Sequence, residues 1–387
     1  MTSAFARNAP IVGGGPLEVT PVGGAEDLRE FVELPERLYQ GVRHWVPPLR
    51  SEERRFLSER NPYVAANPVR LFLARERGVP VGRVAATVCS AHNAYHHERT
   101  GFFGFFECDG RAVTARALLG AAAQYVRDHG MRTLRGPFNF TTNHTCGVLV
   151  EGFEGPPIIE MPYHPPHYGA LLEDAGLRKA KDLFALWHDI EQGKPQRQAL
   201  AGLARAAPAA YAVRELRRSG RGFAEDMDRF YDLYHQAWRG NWGFVPVPRD
   251  EFVYIGRRMQ SLLRPGLCHV VTVRGETAGM VINLPDYSPV LSALRGRVTP
   301  GGALRAWWAS RRVDASRCIL VGVYDRFRGT PATTLLVHHL LEGAARAGYR
   351  GVETSWVLED NAACLRGFGK HGFVPYRRYR IYEQPVA

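Results

Sequence analysis

The chain lacks any pair of cysteines close enough to clamp a metal or cycle as a dithiol. Its six cysteines, Cys89, Cys108, Cys146, Cys268, Cys318 and Cys364, stand far apart, so neither a zinc site nor a C-x-x-C motif is present. No metal is expected, and reduced thiols in a cytoplasmic protein are the simplest account. No apolar run is long enough to span a bilayer. No basic segment followed by an apolar stretch opens the chain, so a secretion signal is not expected. Lysine is scarce, and almost all the cations are arginine. They are dispersed and accompany no nucleic-acid motif, so a nucleic-acid partner is not expected.

What is present is an ordinary globular composition: 387 residues, 45% hydrophobic and 23% charged, with a net charge of +12. The length suits one large or two ordinary domains. The positive excess favours an anionic partner, such as a phosphorylated cofactor or an anionic membrane surface. A GC-rich genome that prefers arginine accounts for it equally well.

The chain repeats itself. Residues 70–84 read "RLFLARERGVPVGRV" and residues 269–281 read "HVVTVRGETAGMV". In both, an apolar strand meets an Arg-Gly turn and a second strand, and the glycines supply the positive φ of a hairpin turn. "FFGFFE" (102–107) then leads to a helix with Leu118, Ala122 and Val126 on one face, stopping at Gly130. "CILVGVY" (318–324) leads to one with Leu336, Leu340 and Ala344, stopping at Gly348. The spacing is helical and the glycine follows the last turn. Each half continues with a strand, a short glycine-ended helix and a strand rich in aromatics.

The expected organisation is a loose lead-in (1–25), an N-terminal module (26–190), a linker with adjoining segment (191–221) and a C-terminal module (222–387). The fold class is α/β (α+β): two tandem modules, each a mixed, mostly antiparallel twisted sheet flanked by helices. Two insertions set the halves apart, at 136–168 and 292–317. Insertions on a repeated scaffold are usual places for function.

In the second half, the strand "LVGVY" runs into Arg326-Phe327-Arg328-Gly329 and a helix. After the next strand come Asn361, Phe368 and Gly372-Phe373. This arrangement resembles the GNAT superfamily of acyl-CoA-dependent N-acyltransferases, present twice in tandem. The first-half wording "GPFN", "LVEGF" and "MPYHPPHY" is similar to a bacterial tandem-GNAT family associated with the bacterial ceramide synthases, which N-acylate a sphingoid long-chain base. The resemblance implies an acyl-CoA N-acyltransferase with acyl-CoA as cosubstrate and an amine, lipid-like in the closer likeness, as acceptor. A non-catalytic tandem scaffold and an acetyltransferase of small amines are the alternatives.

Consecutive backbone N–H groups at a helix start cradle a pyrophosphate. Phe327, Arg328, Gly329 and Thr330 are the expected donors, Arg326 and Arg328 add charge, and the resemblance adds Val321, Val323 and Asn361 to the cofactor set. Thr330 and Pro331 also make an ordinary helix start, and Pro331 has no N–H to give. Asn361 either meets the pantetheine amides or only caps its helix. The matching first-half turn, "ECDGRAVTAR", carries Glu107 and Asp109, which repel phosphate, so only the C-terminal module is expected to hold acyl-CoA.

Glu353, Glu359 and His144 are the candidate bases, each with a surface or locally bonded reading beside it. Phe368 stands where many GNATs keep a proton-donating tyrosine. Asn139, Asn143, Tyr163 and Tyr168, in the first insertion, are candidate substrate contacts. In the second insertion, Trp307 and Trp308 among arginines suit an anionic membrane surface as readily as a solvated basic helix. The expected location is cytoplasmic, peripheral on the inner face of the membrane if that surface is used.

Overall fold

In the computed structural model, which describes residues 16–386, the chain forms two units. Unit 1 holds the residues through Asp182, Val290–Ala306 and the stretch from Tyr379; unit 2 holds Leu183–Pro289 and Trp307–Arg378. Unit 1 begins with β1 (Leu17–Pro21), α1 (Ala25–Leu38), α2 (Arg50–Phe56) and α3 (Pro62–Ala66). Then come β2 (Val69–Glu76), β3 (Val79–Thr87), α4 (Ser90–His96), β4 (Thr100–Cys108), α5 (Ala112–Asp128), β5 (Thr133–Gly136), β6 (Val148–Glu151) and α6 (Tyr168–Asp174). After β7 (Arg178–Asp189) follow α7 (Lys194–Arg205), β8 (Tyr211–Glu215), α8 (Gly220–Ala237), α9 (Arg249–Gln260), β9 (His269–Val273) and β10 (Glu276–Pro285). The chain ends with α10 (Ser288–Leu294), α11 (Pro300–Ser310), β11 (Ala315–Val323), α12 (Pro331–Arg346), β12 (Gly351–Leu358), α13 (Ala362–Lys370) and β13 (Val374–Pro385).

The two Arg-Gly turns close hairpins as their sequence requires. Arg77 and Gly78 have φ of 52° and 77°, and Arg274 and Gly275 have 51° and 83°. Two consecutive positive φ values give a turn whose twist matches that of the flanking strands. Each hairpin is one strand wider than the repeat suggested, because β1 pairs with β2 and β8 with β9. These short edge strands alternate polar and half-buried residues, so they carry little apolar signal. Residues 17–21 of the expected loose lead-in are therefore a strand, while residues 1–15 lie outside the described residues. The expected linker holds α7 and β8, with Leu200 of α7 in the unit 2 core.

The sheet of unit 1 runs β1-β2-β3-β4-β5 and ends on the chain's last strand: Tyr382–Pro385 pairs antiparallel with Thr133–Gly136. The sheet of unit 2 runs β8-β9-β10-β11-β12 and ends on Leu183–Asp189 of β7, antiparallel to β12. The closing strands are thus exchanged, and the units do not follow the expected boundaries at 190 and 222. In unit 1 the core lies where Leu118, Ala122 and Val126 of α5 meet Val84, Phe103 and Phe106. In unit 2 it lies where Leu336, Leu340 and Ala344 of α12 meet Val271, Val281 and Val352.

Asp226 of α8, with no exposed surface, ties that helix to the β8 edge. It accepts from Arg214 at 2.7 Å and Arg217 at 2.6 Å, and Arg229 lies 3.2 Å away. Burial opposes its charge, but the hydrogen bonds from Arg214 and Arg217 outweigh it and hold the carboxyl well below its usual range. This stabilisation is present above the unfolded pKa of a carboxylate and is lost as pH falls toward the folded one. We expect Asp226→Asn to lose about 2 kcal/mol at pH 7, read by urea melts, and the gap to wild type to narrow below about pH 4.

Candidate functional site

β11 and β12 pair in parallel over four positions, from Ala315↔Gly351 to Cys318↔Thr354. Beyond them both strands continue, to Val323 and Leu358, with no further pairing to each other. β10 holds the far side of β11 as far as Val323, and β7 holds the far side of β12 as far as Leu358. The strands are therefore anchored outside and parted inside. Each is irregular where they part: the pairing of β11 with β10 skips Ile319, and that of β12 with β7 shifts between Thr354 and Val357. Such bulges re-aim a strand. Ala315–Cys318 are buried, whereas Ile319–Val323, including the expected Val321 and Val323, are half-buried. The slot leaves the inner edges of both strands without a strand partner, the kind of edge that an extended ligand can pair with.

Glu353 lies where the strands part, in register with Arg317 and with no exposed surface. It accepts from the Ser355 hydroxyl at 2.6 Å and from the Tyr376 hydroxyl. Arg317 donates to Ser355 Oγ at 2.8 Å, and its guanidinium carbon lies 4.9 Å from the Trp356 ring centroid. Glu353 is thus a held, buried carboxylate with a phenol on it. Sequence reading did not single out Tyr376, which sits in an aromatic strand that reads as packing. Phe368 is buried against Phe373, 4.9 Å between ring centroids, and belongs to the core.

The turn after β11 is tighter than expected. Asp325–Phe327 form a single 3₁₀ turn. The amides of Phe327, Arg328 and Thr330 donate to the carbonyls of Tyr324, Asp325 and Phe327 at 2.8, 3.2 and 3.3 Å. Three of the four expected phosphate donors are thus committed within the turn. Among the described residues, Gly329 alone of the four donates to no backbone carbonyl, and its φ of 74° suits a residue without Cβ. Thr330 caps α12, accepting from Ala332 N, with Pro331 in the first turn. Arg326 pairs with Glu276, and Arg328 with Asp325 at 3.0 Å, all with exposed side chains. A polar hollow beside the turn is lined by Arg229, Asp232, His235, Glu276, Tyr324 and Arg326. Asn361 caps α13, its side chain accepting from Cys364 N at 3.0 Å, and Glu359 is half-buried in the turn before it.

Unit 1 builds the same parting and fills it. β4 and β5 pair in parallel only from Thr100↔Thr133 to Phe102↔Arg135. The segment after β5 then lies along β4: Phe138 N donates to Phe103 O at 2.7 Å, and Phe105 N donates to Asn139 Oδ1 at 2.9 Å. The fit depends on Gly104, where a Cβ would fall 1.7 Å from Phe138 O. β4 is buried along its whole length. Asn139, expected to touch substrate, is instead part of this plug.

The other first-half candidates also sit in unit 1. Tyr168 is a core residue: its hydroxyl donates to Glu107 at 2.9 Å and accepts from Cys108 N at 3.1 Å. It offers no face to a substrate, which corrects that expectation. Tyr163 is buried, with its ring edge-on to His44. His144 Nδ1 is 3.1 Å from Thr141 Oγ1, and its ring packs edge-on against Phe56 and Phe140. Asn143 is half-buried, its backbone N–H donating to Thr141 Oγ1 at 3.2 Å. These are the bonds of a folded segment.

Glu251, at the start of α9, was missed. It is 5% exposed, and one of its oxygens, Oε1, has no hydrogen-bond partner among the described residues. Burial, with Asp250 adding, pushes the carboxyl up to about 7. It neighbours Phe252 of the cluster Tyr234, Phe244, Val247 and Phe252. Trp238, packed on that cluster, lies so close over Gly322 of the parted half of β11 that a Cβ there would come within 2.4 Å. "PRDEF" reads as an ordinary acidic helix start, so only burial distinguishes Glu251.

No protein-family model matches the chain. The chain is 30% identical over 366 residues to Protein YghO of Escherichia coli, covering 93% of each. It is also 30% identical over 378 residues to the Bacterial ceramide synthase of Caulobacter vibrioides, covering 96% of this chain and 98% of that one. Among solved structures, it is similar to a tandem GNAT protein from the clavulanic acid biosynthesis pathway, with TM-score 0.61, 18% identity, and 96% and 99% of the two chains covered. A GCN5-related N-acetyltransferase from Sphaerobacter thermophilus gives TM-score 0.54 at 12% identity, with 96% and 97% covered. The two structures show the fold.

Burial pushes the Glu107 carboxyl from its ordinary 4.5 up to about 7, despite the nearby Arg83 charge and hydrogen bonds from Tyr39 and Tyr168. Its protonated form is favoured by the fold, so stability falls as pH rises between those two values. Urea melts at pH 5 and pH 8 should show wild type losing about 2–3 kcal/mol more than Glu107→Gln. Equal losses would mean that the carboxyl is not raised.

Proposed function

The chain belongs to the tandem GNAT family that includes the Bacterial ceramide synthase, and from that we propose an acyl-CoA-dependent N-acyltransferase acting on the amine of a sphingoid or other long-chain base. The observation that carries this reading is the open slot between β11 and β12, set against its plugged counterpart in unit 1. Acyl-CoA lies in the slot with its pantetheine amides against the free strand edges. Its phosphates meet the Gly329 amide and the α12 start, with Arg326 and Arg328 leaving their exposed carboxylate partners for stronger phosphate pairs. Asn361 keeps its cap.

In the reaction the free amine attacks the thioester carbonyl carbon. A C–N bond forms, the C–S bond breaks, and one proton moves from nitrogen to sulfur. Tyr376 suits this transfer: it takes a proton from the amine while passing its own to Glu353, and the pair returns it to the thiolate. The carboxyl of Glu251, with a pKa of about 7 and an unpartnered oxygen, is the second base of this reading. Substrate contacts from Asn143, Tyr163 and His144 require those residues to leave their present bonds, so they rank below the unit 2 groups. A lipid-like acceptor would be met at the cytoplasmic face of a membrane, an anionic surface for which Trp307 and Trp308 are the contact groups. No helix among the described residues is long and apolar enough to cross one.

Thiol release from fatty acyl-CoA with sphinganine tests the reading. We expect Gly329→Asp to lower kcat/KM at least tenfold, and Asp109→Asn in the unit 1 turn to change it less than twofold. Equal losses would argue against a single acyl-CoA site. Release with acetyl-CoA and a small amine, but not with the long-chain pair, would move the substrate to the small-amine class.

Tyr376→Phe and Glu353→Gln should each lower kcat about 100-fold. If Glu251→Gln rather than Glu353→Gln removes an ionisation near pH 7 from the kcat/KM profile, the base is Glu251.

A further inference from the structure

α11 is built the wrong way round for a helix packed only on its own protein. Its inward residues are small: Gly302 and Ala306 are buried and Ala309 half-buried. Its large apolar residues face out. Leu304 is 60% exposed, Trp307 49% and Trp308 55%, and Val298 just before the helix is 69% exposed. Positions 304, 307, 308 and 311 share one face at helical spacing. A surface helix ordinarily turns its large apolar stripe toward the core, and a clustered exposed patch of this kind marks an interaction site.

The charge around this face says what partner fits. Residues 287–313 contain five arginines and no acid. Arg295, Arg305, Arg311 and Arg312 enter no ion pair among the described residues, while Arg297 reaches Glu33 at 3.5 Å. The guanidinium carbon of Arg311 lies 3.7 Å from the Trp307 ring centroid, which sets cation and indole at one level. A lipid headgroup layer has this profile, with anionic phosphates beside the boundary where indole rings settle. A second copy of this chain would bring like-charged arginines face to face, which is repulsive. The 11 residues of α11 are too few to span a bilayer, so the helix would lie in the interfacial plane.

We propose that the segment from Val298 to Arg312 is an in-plane anchor that docks this protein on anionic phospholipid surfaces, with Leu304, Trp307 and Trp308 at the boundary between headgroups and acyl chains. The anchor deepens the reading of a membrane-borne acceptor, yet its lipid affinity stands whether or not the transfer reaction does.

Co-sedimentation with sucrose-loaded vesicles tests it on the full chain. The vesicles are phosphatidylcholine alone, or phosphatidylcholine with about one-third phosphatidylglycerol, at low and high salt. Wild type should partition at least tenfold more strongly to the anionic vesicles. Trp307→Ala with Trp308→Ala should lower that partitioning at least tenfold, and Arg311→Gln with Arg312→Gln should lower it severalfold and flatten its salt dependence. All four side chains are exposed, so the fold should survive, and unchanged thermal melts check that. The proposal is overturned if wild type ignores anionic vesicles or if the double Trp variant binds as wild type does. It is also overturned if the Trp pair governs a lipid-free dimer in sedimentation velocity, which would make the face a protein interface. Vesicle binding without acyl transfer would leave the anchor standing and remove the proposed reaction; transfer without vesicle binding would do the reverse.

Discussion

Everything proposed for unit 2 depends on where two parallel strands stop pairing. After Cys318 and Thr354, β11 and β12 pair, among the described residues, only with their outer neighbours. Parallel strands that part leave donors and acceptors without partners, which is costly when dry and useful when a ligand with its own amides can take their place. Glu353 and Tyr376 sit at the apex of that parting, and the α12 turn begins where β11 ends. Geometry of the backbone therefore decides where the atoms of the proposed reaction would meet side chains.

Unit 1 shows what the same scaffold does when the parting is closed from within. Phe138 and Asn139 take the place that a ligand would have, and Gly104 allows the approach. Behind it, Glu107 receives the hydroxyls of Tyr39 and Tyr168 in a buried cluster. One copy of the repeat has become internally satisfied, while the other has kept its backbone edge open. A sheet edge is a resource or a liability according to whether something covers it.

Much of this was legible in the residues. The Arg-Gly turns, the glycine-ended helices and Asn361 as a cap all follow from local backbone chemistry, which short sequence windows contain. The likeness of the halves placed the Arg326–Gly329 turn after β11 and before α12, where it lies. Other features depend on distant pairing. The edge strands β1 and β8 carry few apolar residues, so nothing local announces them. Tyr376 and Glu251 look like a packing aromatic and a helix-start acid until burial and partners are known. The amides of Phe327, Arg328 and Thr330 look free in a linear motif, because a 3₁₀ turn that consumes them depends on torsions rather than residue type.

The exchanged closing strands have a consequence for how the protein is made. β5 of unit 1 waits for Tyr382–Pro385, a strand made after all of unit 2. Until then the first unit carries an open sheet edge, although nearly all of its residues have already been synthesised. Its completion is a contact between residues almost 250 positions apart, the kind of pairing that loop-closure entropy makes slow. The two halves look like beads that could mature in order of synthesis. The pairing of their strands instead makes the first unit's completion wait for residues that follow all of the second unit.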